Sequence, residues 1–206
     1  MYRFALILGI WLLPKGDTLK CYECMPDASG NCLQTEKQCL SQSYQCGASR
    51  VVSYAGGSKL LDLQVKACGP PEECGEASIN FGLSKTSVNT KCCNSDLCNS
   101  MSAPEPSKTA PNGGMCYTCD GSTCEKTLAC EGNEDHCITA TASAGGTTVT
   151  LKGCASKIIC SSKNYVSQLS GAKISCCKGN LCNSAVTASA GLQLVVVALV
   201  SVALFS

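Results

Sequence analysis

Cys92-Cys93-Asn94-Ser95-Asp96-Leu97-Cys98-Asn99 returns later in the chain as Cys176-Cys177-Lys178-Gly179-Asn180-Leu181-Cys182-Asn183. Each stretch closes a run of ten cysteines, and together the runs account for all 20 in the chain. The first holds Cys21, Cys24, Cys32, Cys39, Cys46, Cys68 and Cys74 before its closing three. The second holds Cys116, Cys119, Cys124, Cys130, Cys137, Cys154 and Cys160 before its own. Both open on Cys-x-x-Cys. A repeat of this length fixes the architecture before any strand or helix is assigned. An even count in each copy makes each copy a closed disulfide framework.

Each repeat is only about 70–80 residues, too small to be comfortably stable on an apolar core alone. Its apolar positions are modest: Val51, Val52, Leu60, Leu61, Leu63 and Val65 in the first, Ile138, Val149, Leu151, Ile158, Ile159 and Ile174 in the second. Five disulfides per repeat, worth about 2–4 kcal/mol each though not additively, close that gap. They persist only in an oxidising compartment, so the reduced chain is expected not to fold.

The two ends agree with that compartment. Met1-Tyr2-Arg3 carries a positive charge, Phe4 to Leu13 is apolar, and Pro14 ends the run ahead of Gly16 and Thr18. This is the layout of a cleaved secretory signal over residues 1–18, with cleavage after Thr18 or after Gly16. At the other end, Asn183-Ser184-Ala185 is followed by a short polar spacer and an apolar tail from Leu192 to Phe205. Small residues, spacer and terminal apolar stretch form a glycolipid-attachment signal over residues 184–206. Asn183 is the first choice of attachment residue and Ser184 the second. A membrane span would need about 20 apolar residues and would have to include Thr187, Ser189 and Gln193, and no Lys or Arg follows to hold it.

Between the repeats, Ser100 to Gly114 has no cysteine and contains Pro104, Pro106, Pro111, Gly113 and Gly114. That composition predicts a semi-extended linker, loose at the Gly pair, with Ser and Thr open to O-linked sugars. Domain 1 is expected over 19–99, the linker over 100–114 and domain 2 over 115–183. No Asn-x-Ser/Thr sequon occurs.

Inside the repeats the patterns are β. Ile138 to Ser143 and Thr147 to Lys152 flank Gly145-Gly146, and Ser49 to Tyr54 and Lys59 to Lys66 flank Gly56-Gly57. Alternation on both sides of such a pair predicts a hairpin. Further strands are expected through Ser87 to Cys92 and Ala172 to Cys176, and no segment shows a helical period. The fold class is all-β, small and disulfide-rich.

Charge and chemistry exclude several functions. With 16 basic and 15 acidic residues, net charge +1 and 5% aromatics, there is no basic stripe and no stacking platform, so no nucleic-acid partner is expected. His136 is the one histidine, has no nucleophile motif and adjoins Cys137. A triad needs all three roles filled, so no catalytic set is read and the chain is taken as a non-enzyme. In a secreted chain this dense in cysteine, the Cys-x-x-Cys pairs at Cys21 and Cys116 read as disulfide partners rather than zinc or redox sites. Glu72-Glu73 and Glu134-Asp135 read as solvated loop charge. No metal and no cofactor is expected.

The cysteine order, Leu19-Lys20-Cys21-Tyr22-Glu23-Cys24 and the two closing stretches resemble the lymphocyte-antigen-6 and urokinase-receptor superfamily. Domain 2 departs at Asn180, where the family usually has Asp. The resemblance implies two tandem three-finger (snake-toxin-like) domains. It implies the pairs Cys21–Cys46, Cys24–Cys32, Cys39–Cys68, Cys74–Cys92 and Cys93–Cys98 in domain 1. In domain 2 it implies Cys116–Cys137, Cys119–Cys124, Cys130–Cys154, Cys160–Cys176 and Cys177–Cys182. Asn99 and Asn183 are expected to bond backbone near each domain start.

The function expected is a cell-surface module held only by a glycolipid. It would bind a protein ligand through finger faces or the groove between domains, with side chains such as Tyr44, Arg50, Tyr54, Phe81 and Tyr165. The alternative is a soluble secreted inhibitor resembling two-domain phospholipase inhibitors. A hydrolase has no nucleophile to use.

Overall fold

A computed structural model of the chain describes residues 18–27, 30–121, 123–144, 147–162 and 172–184. The signal segment up to residue 17, the Gly145-Gly146 turn, Tyr165, Ala185 and the apolar tail lie outside the described residues. Among the described residues, no helix is long and apolar enough to cross a membrane.

Domain 1 is made of β1 (Lys20–Glu23), β2 (Thr35–Gln38), β3 (Gln45–Ala55), β4 (Ser58–Gly69), β5 (Gly75–Asn80) and β6 (Ser84–Cys93). Domain 2 is made of β7 (Pro111–Thr118), β8 (Lys126–Glu131), β9 (His136–Ala144), β10 (Thr147–Ala155), the short helix α1 (Lys157–Ser161) and β11 (Ala172–Cys177). Both are mostly β, as expected. The β3–β4 hairpin turns at Gly56 and Gly57, both with positive φ (56° and 82°), which is the backbone such a tight turn requires. Helix α1 was not expected. Five residues are too few to display a helical period, so the sequence carried no signal for it.

In each domain a two-stranded sheet, β1–β2 or β7–β8, lies beside the main sheet. Disulfides join Cys21 to Cys46, Cys24 to Cys32, Cys39 to Cys68, Cys74 to Cys92 and Cys93 to Cys98. They join Cys116 to Cys137, Cys119 to Cys124, Cys130 to Cys154, Cys160 to Cys176 and Cys177 to Cys182. At each base two bonds stack, with Cys21 and Cys39 sulfurs 3.3 Å apart and Cys116 and Cys130 sulfurs 3.4 Å apart. The sulfur triples Cys21/Cys39/Cys68 and Cys116/Cys130/Cys154 are close enough to suggest a metal, but every one of these atoms is committed to a disulfide. A bonded sulfur is not the thiolate that a metal requires.

The repeated closing stretch explains itself once the bonds are traced. Asp96 Oδ1 accepts from the Lys20 amide at 2.9 Å, and the Leu97 amide donates to the Lys20 carbonyl at 2.7 Å. Asn99 Oδ1 then accepts from the Tyr22 amide, while its Nδ2 donates to the Tyr22 and Gly47 carbonyls, each at 2.9 Å. One buried side chain thus ties the first strand to β3. Domain 2 repeats the pattern through Asn180 to Met115 and Asn183 to Tyr117 and Ile138. A neutral side-chain oxygen suffices at the first contact, which accounts for Asn180. Leu97 and Leu181 both take the left-handed region (φ 55° and 58°), a conformation a leucine holds only when its surroundings impose it.

The domains are not beads on a loose linker. β10 of domain 2 pairs antiparallel with β5 of domain 1, Cys154 opposite Asn80 and Ala155 opposite Ile79. This makes one seven-stranded sheet in the order β11-β9-β10-β5-β6-β3-β4. The pairing continues as the Ser156 amide donates to the Ser78 carbonyl and the Ser78 amide to Ser156 Oγ. Ala77, Phe81, Ile138, Ala140, Ala155 and Ile159 bury one another across this seam. Gly153 makes it possible, since a Cβ there would overlap the Asn80 carbonyl and stand 3.0 Å from the Phe81 Cα. At the matching edge of domain 1 stand Ala67, with a Cβ, and Pro70, with no N–H to donate. The seam chemistry is therefore available on β10 and absent on β4.

Residues 100–110 run as a strap across the domain 1 sheet. Lys66 Nζ donates to the Ser100 carbonyl and Gln64 Nε2 to the Ala103 carbonyl. Glu105 bridges Lys59 and Arg50, Ser107 bonds Glu76, and Lys85 donates to Thr109. Gly113 and Gly114, expected to be loose, lie in β7. Polar side chains of four strands hold the strap down.

Replacing Gly153 with Ala should cost about 1–3 kcal/mol through overpacking against fixed backbone. Hydrogen exchange should then quicken at the Ser78 and Ser156 amides before it quickens at Cys21 or Cys116. Unchanged protection at Ser78 and Ser156 would show that the seam does not depend on that glycine.

Candidate functional site: the finger tips of domain 1

The large apolar side chains left exposed among the described residues are Met25, Leu33, Leu40, Leu60, Leu83 and Met101. All belong to domain 1 or to the first residues of the strap. Single exposed apolar residues need no explanation, so their backbone settings matter more than their number.

Leu60 sits in a β-bulge. Ser53 pairs with Leu61 and Tyr54 with Lys59, which leaves Leu60 without a partner in the register. Bulges re-aim side chains, and Leu60 is 52% exposed. Leu83 is on the β5–β6 turn and is 47% exposed. The Gly56 amide donates to the Leu83 carbonyl at 3.1 Å, which holds the tips of the second and third fingers together. The first finger carries Leu33, 84% exposed, and is held to β4 by the Cys24–Lys66 bridge.

The charges beside Leu60 neutralise one another. Arg50 grips Asp62 through two hydrogen bonds of 2.7 Å, Lys59 reaches Asp62 at 3.0 Å and Glu105 at 2.7 Å, and Arg50 reaches Glu105 at 3.4 Å. The Arg50 guanidinium holds Asp62 down to about 2, and Lys59 lowers Glu105 by hydrogen bonding. Two cations and two anions leave the tip without net charge, so what it offers a partner is apolar.

The other residues expected to meet a ligand fall elsewhere. Phe81 is 8% exposed and belongs to the seam core, a correction that follows from the pairing of β10 with β5. Tyr44 packs on the cysteine cluster of Cys21, Cys39 and Cys46. Tyr54 is half-buried on β3 near Arg50. The expected solvated charge at Glu134 is also corrected. It is buried in the seam, where Ser78 Oγ and the Glu131 amide donate to it at 2.9 Å and Lys85 lies 3.4 Å away. His136 Nδ1 lies 2.8 Å from Asp135. Burial pushes the Asp135 carboxyl up, but the bond to His136 and backbone contacts outweigh it and leave its pKa lowered.

Two stapled, mostly β domains, each shut by an asparagine on its own first strand, define a tandem three-finger protein. The u-PAR/Ly-6 domain family matches residues 17–101, and the snake toxin and toxin-like protein family matches residues 115–183. Lymphocyte antigen 6E of Gallus gallus is 34% identical over 100 residues, 48% of this chain and 74% of that protein. The urokinase plasminogen activator surface receptor of Bos taurus is 28% identical over 168 residues, 76% of this chain and 48% of that protein. Its counterpart in Rattus norvegicus is 27% identical over 185 residues, covering 82% and 56%. The chain belongs to the lymphocyte-antigen-6/urokinase-receptor family as a two-domain member, and it spans about half the length of the urokinase receptors it matches.

Asp62 and Glu105 are lowered below their ordinary values, and so is Glu131, where Lys85 donates to it. A lowered carboxylate stabilises the folded state above its unfolded value, about 3.9 for Asp and 4.3 for Glu, and that contribution is lost as pH falls through the lowered value. The strap should therefore loosen only below about pH 4. Amide exchange at Ala103 and Ser107 measures this, and Glu105→Gln should loosen the strap already at neutral pH. Replacing Asn183 with Ala should cost at least about 1–3 kcal/mol, because the buried Tyr117 amide and the two carbonyls lose their partner. A thermal melt reads that cost.

Proposed function

We propose that this protein is a non-enzymatic binding module, displayed on the outer cell surface by a glycolipid, that takes a protein ligand on the finger tips of domain 1. The observation that carries the reading is the pair Leu60 and Leu83. A bulge and a turn hold them outward, beside charges that cancel. The described part of domain 2 has no exposed large apolar residue, which suits it to the role of pedestal. The relatives named as surface receptors support a surface location.

The chain order follows from the same reading. Residues 1–18 are a removed signal, 19–99 and 115–183 are the domains, the second extended at its start by β7 from Pro111, and 184–206 contain the attachment signal. Asn183 is buried and its side chain is spent on Tyr117 and Ile138, whereas Ser184 is exposed. That moves the preferred attachment residue from Asn183 to Ser184, because a transamidase needs reach to the bond it cuts. The ten pairs of the structure are proposed as the native connectivity. Digestion without reduction should give linked peptides joining, among others, Cys74 to Cys92 and Cys160 to Cys176.

Treatment of expressing cells with phosphatidylinositol-specific phospholipase C should release a species ending at Ser184. A species retained on cells with Leu192 to Phe205 intact would overturn the anchor. Protein already in the medium would favour a soluble inhibitor. The released ectodomain, used as a probe on cells, should lose at least tenfold in binding with Leu60→Asp or Leu83→Asp, since burying a leucine is worth about 1.5–3 kcal/mol. Lys126→Ser in domain 2 should leave it unchanged. Equal effects of all three would move the ligand off the domain 1 tips.

A further inference from the structure

Lys66 and Lys152 hold equivalent places, two residues ahead of the sixth cysteine of each domain. Both are buried, Lys152 to 2% exposure, and both ammonium groups point at the residue just past the closing asparagine. Lys66 donates to the Ser100 carbonyl and Lys152 to the Ser184 carbonyl at 3.3 Å. The two differ in what else compensates the charge. Lys66 also donates to Gln34 Oε1 at 2.7 Å and lies 5.8 Å over the Tyr22 ring. Lys152 has the Ser184 carbonyl as its one partner among the described residues, and burial alone pushes its pKa down. A buried ammonium facing a single neutral oxygen is poorly compensated, because buried charges are ordinarily paired. The same position in domain 1 shows that this fold can supply the missing partners.

We propose that Lys152 binds a phosphate anion at the point where the chain meets its glycolipid, namely the ethanolamine phosphate attached through the Ser184 carbonyl. This rests on the anchor reading above. In such an anchor the Ser184 carbonyl becomes an amide of ethanolamine, and the phosphate follows two carbons later on the same short arm. The ammonium that holds the carbonyl therefore stands within a short arm's reach of the first anion of the anchor. The pair is charge-assisted, and such bonds are stronger than a neutral contact. The consequence is a seated anchor, with domain 2 held at a fixed stand-off from the membrane.

The test uses the full chain expressed on cells as wild type, Lys152→Arg, Lys152→Met and Lys66→Met, each released with the phospholipase, which leaves the ethanolamine phosphate on the protein. Mass determination reports whether that group is present, and so tests the anchor reading by itself. Phosphorus NMR, with the resonance assigned through the Ser184 amide, tests the contact. The reference is a synthetic Ser-ethanolamine-phosphate peptide. A resonance displaced from the peptide's in wild type, Lys152→Arg and Lys66→Met, and returned to it in Lys152→Met, supports the proposal. A wild-type resonance coincident with the peptide's overturns it, whether or not Lys152→Met folds. Released protein is also offered vesicles of phosphatidylserine against phosphatidylcholine. Binding to phosphatidylserine that requires Lys152 would assign the anion to a leaflet headgroup and overturn the assignment to the anchor.

Discussion

Each domain is held shut by one asparagine side chain working on three backbone groups. Asn99 and Asn183 do what a strand ladder would do if β1 and β7 were paired into the main sheet, which they are not. They supply one acceptor and two donors in the places where the backbone of the first strand and of β3 or β9 would otherwise be left unpaired. Unpaired buried backbone is costly, so nearly everything else at the base serves that contact. The last disulfide of each domain fixes the residue before the asparagine. The left-handed leucine turns the chain toward it, and the aspartate or asparagine three residues earlier aligns the approach. The buried lysines then hold the chain as it leaves.

With the bases fixed, the hairpins are free to differ, and the molecule uses that freedom to join its halves. While the tip at Leu83 stays exposed, the β5 strand of the third finger of domain 1 is spent on domain 2. Its Ser78, Asn80 and Phe81 lie against Ser156, Gly153 and Thr118. A strand that in an isolated domain would be a free sheet edge becomes the middle of a sheet, and a carboxylate, Glu134, is buried to complete the fit. The strap is tied to strands β3 to β6 of domain 1, and the order of the two domains is written in β10, Gly153 and Ser156.

Much of the fold was legible because its determinants are local. Adjacent cysteines, the closing asparagine and Gly-Gly flanked by alternating residues each state a backbone requirement within a few positions. The seam was not legible. It rests on two register pairs far apart in sequence, and neither Gly153 nor Ser156 differs in kind from an ordinary strand-end residue until Asn80 lies against it. The strap was misread for a related reason. Pro, Ser and Gly describe a chain without structure of its own, and Gln64, Arg50 and Lys85 on distant strands supply its structure. Phe81 was misplaced because an aromatic near a finger tip reads alike whether it meets a ligand or a neighbouring domain. At the candidate site the sequence offered no reason to choose Leu60 over Leu61. The choice lies in the bulge, which no composition reveals.

That bulge bears on how binding surfaces of this kind are acquired. Leu60 is the single unpaired residue between two stretches of regular ladder. Deleting its codon would leave the β3–β4 hairpin continuous and withdraw the protruding side chain, while every cysteine, the glycine turn and the strap contacts stay where they are. Insertion of one codon would restore it. A lineage can therefore gain or lose this contact by one in-frame step that leaves the folding core untouched, and length variation at finger tips can outpace substitution as the source of new partners.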